Sequence, residues 1–112
     1  MEIVEKPWGK ETWWALTEHY VGKIIEIKAG NALSLQYHQE KTETMLFYSG
    51  SGRLVLGKET QPIKTGTSVT ILPGTLHRVI ADTDIIIFEV STPQVNDVVR
   101  VSDEYDREKE VE

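Results

Sequence analysis

Cysteine is absent from this chain. Neither a disulfide framework nor a thiolate zinc site can form without it, and its absence fits a reducing compartment. Long apolar runs are missing too: no stretch approaches the roughly 18 residues that read as a membrane span. The opening Met1-Glu2-Ile3-Val4-Glu5-Lys6 lacks the basic end and apolar stretch of a signal peptide, so a cytoplasmic location is expected. Positive charge is scarce, with 12 basic residues against 18 acidic ones and a formal charge of −6. That balance argues against a basic face for nucleic-acid phosphates, so neither nucleic acid nor membrane is expected as a partner. Much of the acidity sits in residues 103–112, so net charge does not decide whether a pocket in the body accepts an anion. There is no repeat, low-complexity tract or internal linker, and no convincing helical period before Val95.

What is present is a series of short β-branched and aromatic runs between turn signals. They cover Thr12–Leu16, Tyr20–Lys28, Leu33–His38, Thr44–Tyr48, Arg53–Leu56, Ser68–Leu72, His77–Ala81 and Ile85–Val90. In the second run Val21, Lys23, Ile25 and Ile27 share one face. Breakers such as Ser49-Gly50-Ser51-Gly52, Gly57-Lys58 and Pro73-Gly74 separate the runs. Strands at this spacing predict an all-β antiparallel barrel or sandwich. The length of 112 residues fits one domain. The expected division is a core over about residues 20–92, an N-terminal strand segment over 6–16, and a short irregular or helical tail over 93–112. The run Ile85-Ile86-Ile87-Phe88 is apolar throughout, which predicts a strand covered on both faces. Exposed edges of a small barrel often pair, so a homodimer is the expected assembly.

Four side chains stand out as candidate ligands for one divalent metal. Gln36 and His38 are two apart and leave the same face of a strand. Glu43 opens the returning strand if residues 39–42 turn, and His77 re-enters the sheet after Pro73-Gly74. Two imidazoles, a carboxylate and an amide oxygen with open positions suit metal-assisted chemistry. Imidazole favours zinc, iron, copper or nickel, and carboxylate and carbonyl favour manganese or magnesium. A divalent ion with one ligating carboxylate leaves the site near +1, able to attract an oxyanion or stabilise an enediolate. Glu40 is a further candidate acid, as base or occasional ligand.

These residues carry a resemblance. Gly30, five residues, Gln36, one residue, His38, four residues, Glu43, six residues and Gly50 follow the first cupin motif, with Gln36 at the first histidine position. Gly66, Pro73, Gly74 and His77 follow the second, with Leu72 and Ala81 replacing its proline and asparagine. Leu33-Ser34-Leu35-Gln36-Tyr37-His38 resembles the L-S-L-Q-x-H of phosphomannose isomerases. The similarity is greatest to the type II family, found as the C-terminal cupin of mannose-1-phosphate guanylyltransferases. Lys6-Pro7-Trp8-Gly9 resembles that family's R-P-W-G opening, and the segment from Asp97 to Arg107 resembles its closing D-I-V-R-L-E-D-D-Y-G-R.

The resemblance implies a jelly-roll barrel with Gln36, His38, Glu43 and His77 as metal ligands, zinc before manganese, iron or nickel, and a sugar or sugar phosphate as substrate. The implied reaction is aldose–ketose isomerisation through an enediol, as in mannose-6-phosphate isomerase, with Arg78 matching a family arginine and so a candidate catalytic residue. Two other readings stand beside it: a non-catalytic sugar-binding regulatory module, and an iron dioxygenase built on His38, Glu43 and His77. The chain departs from the family at Gln39-Glu40-Lys41-Thr42 and Thr44-Met45, where two histidines, an arginine and a His-Trp pair are replaced. These residues match only the cupin portion, so guanylyl transfer is not expected of them. Lys23, Arg53 and Arg78 are able to meet a phosphate or carboxylate, but each is expected as a solvated surface charge, and strand alternation points Arg78 away from His77. Trp8, Trp13 and Trp14 are expected in a core or interface more than stacked on a sugar.

Overall fold

A computed structural model describes residues 1–102 as eleven strands in two antiparallel sheets. The strands are β1 (Glu2–Lys6), β2 (Gly9–Leu16), β3 (Val21–Ile27), β4 (Leu35–Tyr37), β5 (Glu43–Ser49) and β6 (Gly52–Leu56). They continue with β7 (Glu59–Pro62), β8 (Ser68–Ile71), β9 (His77–Ala81), β10 (Ile85–Ser91) and β11 (Val99–Ser102). One sheet runs β1-β2-β3-β10-β5-β8 and the other β11-β4-β9-β6-β7. The non-sequential order wraps the chain into a two-layered barrel whose core lies between the sheets. Among the described residues no helix is long and apolar enough to cross a membrane.

Alternation decides what faces inward. Ile25 and Ile27 on β3, Met45 and Phe47 on β5, Leu54 on β6, Val79 on β9 and Ile85 and Ile87 on β10 form one buried cluster. Gly74 turns the chain into β9 with φ 82°, a left-handed conformation that glycine adopts without Cβ strain. Its N–H donates to the carbonyl of His38 at 2.7 Å, which ties the two motif segments together.

Three strands depart from the sequence expectation. β1 and β7 are missing from it because they are polar edge strands, with every residue of β7 exposed. Gly57-Lys58 makes the tight turn that pairs Leu56 with Glu59. β11 lies inside the expected irregular or helical tail, and its pairing with β4 makes it a strand; residues 103–112 lie outside the described residues. The expectation for β10 is also corrected: Ile85 and Ile87 are buried while Ile86 and Phe88 are only half-buried. Both neighbours of β10 are strands, but among the described residues no further layer covers the outer face of its sheet.

Candidate metal centre

The first ligand segment ends β4 and opens β5, and the second opens β9. Gln36 pairs directly with His77 across β4 and β9, so the two motifs meet in adjacent strands. His38, Glu43 and His77 are each nearly sealed from solvent. Their ligand atoms lie within 4.8 Å of one another, and the two imidazole rings are 5.1 Å apart.

Hydrogen bonding at the far ring nitrogens sets both tautomers. His77 Nδ1 donates to the carbonyl of Thr75 at 2.9 Å. His38 Nδ1 donates to the carbonyl of Asp97. Each Nε2 then presents a lone pair to the interior. His38 Nε2 lies 2.8 Å and His77 Nε2 3.0 Å from the same Glu43 Oε1. The His77 contact lacks hydrogen-bond alignment, which leaves its Nε2 buried with no hydrogen-bond partner. Two lone pairs and a carboxylate oxygen crowd one point, and only a proton or a cation between them relieves that arrangement. The donor set therefore fits a divalent metal on its own geometry.

The surrounding wall is ionic. Lys41 Nζ lies 3.9 Å from Glu43 Oε2. Glu89, wholly enclosed on β10, hydrogen-bonds to Glu43. Burial pushes Glu43 up, but the Glu89 carboxyl, the adjoining imidazoles of His38 and His77 and the Lys41 charge outweigh that and hold its carboxyl well below the usual value. Burial and the neighbouring Glu43 charge drive Glu89 the other way, well above the usual carboxylate range. The cavity also meets Lys6, Trp8, Glu11, Lys23, Gln36 and Arg100.

Asp97 holds the ligand loop in place. Its Oδ1 accepts from the N–H of Gln39 at 2.9 Å, and its Oδ2 accepts from Glu40 at 2.7 Å and Lys41 at 2.9 Å. Burial raises its carboxyl, and these three backbone donors more than reverse that, so it lies below the ordinary aspartate value.

Other expected site residues lie differently. Gln36 lines the cavity beside His77, with its Oε1 accepting from Ser34 Oγ at 2.9 Å. Glu40 and Arg78 are not brought to the cavity. Glu40 is exposed because Asp97 pins its backbone in an outer turn. Arg78 follows strand alternation outward and gives its guanidinium to the carbonyls of Leu33 at 2.8 Å and Ser102 at 3.0 Å. Lys23, expected on the surface, is 6% exposed. Its phase with Ile25 and Ile27 was the available signal, and Glu89 keeps the same phase with Ile85 and Ile87. Trp8 joins the core, Trp13 lies under Lys23, and Trp14 covers the outer face at Gly22.

The sequence profile described as mannose-6-phosphate isomerase C-terminal matches residues 1–103. Mannose-1-phosphate guanylyltransferase 2 of Escherichia coli O157:H7 is 30% identical over 111 residues, covering 94% of this chain and 23% of the relative. The chain thus spans less than a quarter of such a relative's length. KdgF from a Halomonas species superimposes with TM-score 0.73 at 14% identity, over 84% of this chain and 89% of that one. A putative sugar phosphate isomerase from Acidithiobacillus ferrooxidans superimposes with TM-score 0.61 at 20% identity, over 66% of this chain and 50% of that one.

Proposed function

The chain belongs to the mannose-6-phosphate isomerase C-terminal family of cupins, and from that premise we propose that it is a metal-dependent sugar-phosphate isomerase acting on mannose 6-phosphate or a close analogue. The observation that carries the reading is the convergence of two lone-pair Nε2 atoms on Glu43 Oε1 inside a polar cavity. His38, Glu43 and His77 would hold the metal in this reading, with Gln36 as the fourth ligand and zinc as the ion. Such an ion would supply Lewis-acid polarisation of substrate oxygens.

The chain's own groups do the rest. Lys41, 5% exposed and beside Glu43, supports negative charge developing on an enediolate. Glu89, once a bound cation on Glu43 had let it lose its own proton, would take the proton from C2 and return it at C1; what supports it is its place in the cavity wall against Glu43. The enclosing sheets limit water at the reacting carbons. The exposed apolar residues Trp14, Leu46, Tyr48 and Val90 on the outer sheet face support a second copy as partner, and the cytoplasm is the proposed location. Zinc-loaded protein given mannose 6-phosphate should form fructose 6-phosphate, followed by coupled reduction; no ketose at any metal loading would end this reading.

The turn at residues 39–42 favours a second reading. With Glu40 exposed and the family's histidines and arginine replaced there, the domain can serve as a sugar-binding module without turnover. Calorimetry that records saturable sugar binding beside a flat product assay would select that reading.

A further inference from the structure

The cavity beside the triad is smaller than any sugar. Its volume is about 50 Å³, room for one or two waters at about 30 Å³ each. Pockets that bury a small organic ligand run to about 300–1,000 Å³. His38, Glu43 and His77 are sealed as well, at 2%, 2% and 0% exposure. A sugar reaches them only if part of the wall moves.

Most of that wall cannot move alone. Lys23, Ile25, Glu43, Met45 and Glu89 sit in the ladders of β3, β10 and β5, and Ile25 and Met45 belong to the hydrocarbon cluster. Residues 92–98 differ. They link β10 to β11 outside any strand and set Val95 and Val98 in the cavity wall. Among the described residues, 93–96 make no backbone hydrogen bond to a strand; the Gln94 carbonyl accepts from the Asp97 N–H at 3.5 Å. The segment is fastened near its two ends, and both fastenings go to the ligand loop. The Thr92 N–H donates to the Thr42 carbonyl at 3.0 Å, and Thr92 Oγ1 accepts from the Thr42 N–H at 3.1 Å. The Asp97 carboxylate takes the N–H groups of Gln39, Glu40 and Lys41. Gln39 and Glu40 are exposed, so water can replace the carboxylate on their N–H groups at little cost. The closed position also leaves a defect. Gln94 Oε1 is buried with no hydrogen-bond partner, which disfavours closure, and outward movement returns it to water.

We propose that residues 93–98 are a gate over the triad, hinged at Thr92 and Val99 and latched by the Asp97 carboxylate on the N–H groups of residues 39–41. The gate rests on the proposed function for what passes, a sugar phosphate, but not for the movement itself. Outward rotation takes Val95 and Val98 out of the wall and opens the cavity to solvent. It also carries away the main-chain carbonyl that orients His38. Shutting the gate and aiming that imidazole are one event, which ties closure to assembly of the site.

The chain has no cysteine, so a single introduced thiol reports the movement in metal-free protein without sugar. Val98→Cys places it in the wall at a position 7% exposed. Asn96→Cys, at an exposed position of the same segment, is the open control. A soluble aromatic disulfide reagent should modify Val98→Cys at least about a hundredfold more slowly than Asn96→Cys, because only the open form reacts. Adding Asp97→Ala frees the latch and keeps the His38 carbonyl; it should speed modification of Val98→Cys at least about tenfold. Adding Phe47→Ala should change that rate by less than about twofold, although it populates the unfolded chain at least about a hundredfold more. Val95→Cys should show the same order, so the result does not hang on one variant folding. The gate is overturned if Val98→Cys reacts as freely as Asn96→Cys, or if Asp97→Ala leaves its rate unchanged. It is overturned equally if Phe47→Ala speeds labelling as much as it populates the unfolded chain. A failure to isomerise mannose 6-phosphate bears on the proposed function alone, since neither sugar nor metal enters this experiment.

Discussion

Follow any central strand along its inward face and the chemistry changes towards one end, within about one inward position from strand to strand. On β10 the inward series runs Ile85, Ile87, Glu89, Ser91; on β3 it runs Ile27, Ile25, Lys23, Val21; on β5 it runs Phe47, Met45, Glu43. On β9 Ala81 and Val79 give way to His77. The ladders of β3 with β10 and of β9 with β6 run unbroken through the change. One half of the interior is hydrocarbon and holds the sheets together; the other half carries charge and lines the cavity. The apolar half lets the polar half exist, because buried ions stabilise little on their own and need a scaffold fixed elsewhere.

This division can be broken from either side. The largest effect should come from His77→Ala or Glu43→Ala, which remove a ligand: stoichiometric metal uptake and isomerase turnover should both fall to background by elemental analysis and coupled assay. Folding should persist, since the hydrocarbon half is untouched, and uptake of a full equivalent of metal by both variants would refute the centre. Phe47→Ala strikes the other half. A truncated buried phenylalanine costs about 3–5 kcal/mol, so urea unfolding should shift to a much lower midpoint while the folded protein still binds one metal.

Asp97→Asn probes the join between the two halves at lower cost. It weakens three backbone hydrogen bonds that set the His38 loop, and loss of such outer support typically lowers metal affinity about 10–100-fold. Competition with a chelator measures that; an unchanged affinity would mean the loop holds its shape without Asp97.

The smallest effect is on pH dependence, and it should appear only for the polar half. Glu89 is raised well above 4.5 in the folded protein. From its unfolded value up to its folded value, the unfolded chain releases this proton before the native one does, so stability declines with rising pH over that window. Glu43 and Asp97 are lowered, so their contributions are present above their unfolded values and fade as pH falls through their folded ones. In metal-free protein, Glu89→Gln should therefore gain stability over the parent progressively as pH rises past 4.5, read as urea midpoints; parallel profiles would remove the assignment. Phe47→Ala should shift the whole profile without changing its shape.

The barrel was legible because alternation and turn residues speak locally: all eight expected runs contain or overlap strands. The clustering of His38, Glu43 and His77 was legible because strand parity and the two turns put them on compatible faces. Edge strands β1 and β7 were not, since a strand that buries little needs no apolar pattern. Lys23 and Glu89 were hidden by their type: a charged residue in an apolar phase reads as surface until a facing sheet is known to enclose it. Asp97 had no local signal at all, because its partners lie 56–59 residues away.

That last separation has a consequence for how the molecule is made. The imidazole of His38 gains its orienting carbonyl, and its loop gains its anchor, only after Asp97, 59 residues further along, has been synthesised. A nascent chain halted before Asp97 can lay down β4 and β5 and carry His38 and Glu43, yet it lacks the clasp that aims them. The ligand-bearing loop is thereby left without its clasp until the segment that carries Asp97 has emerged.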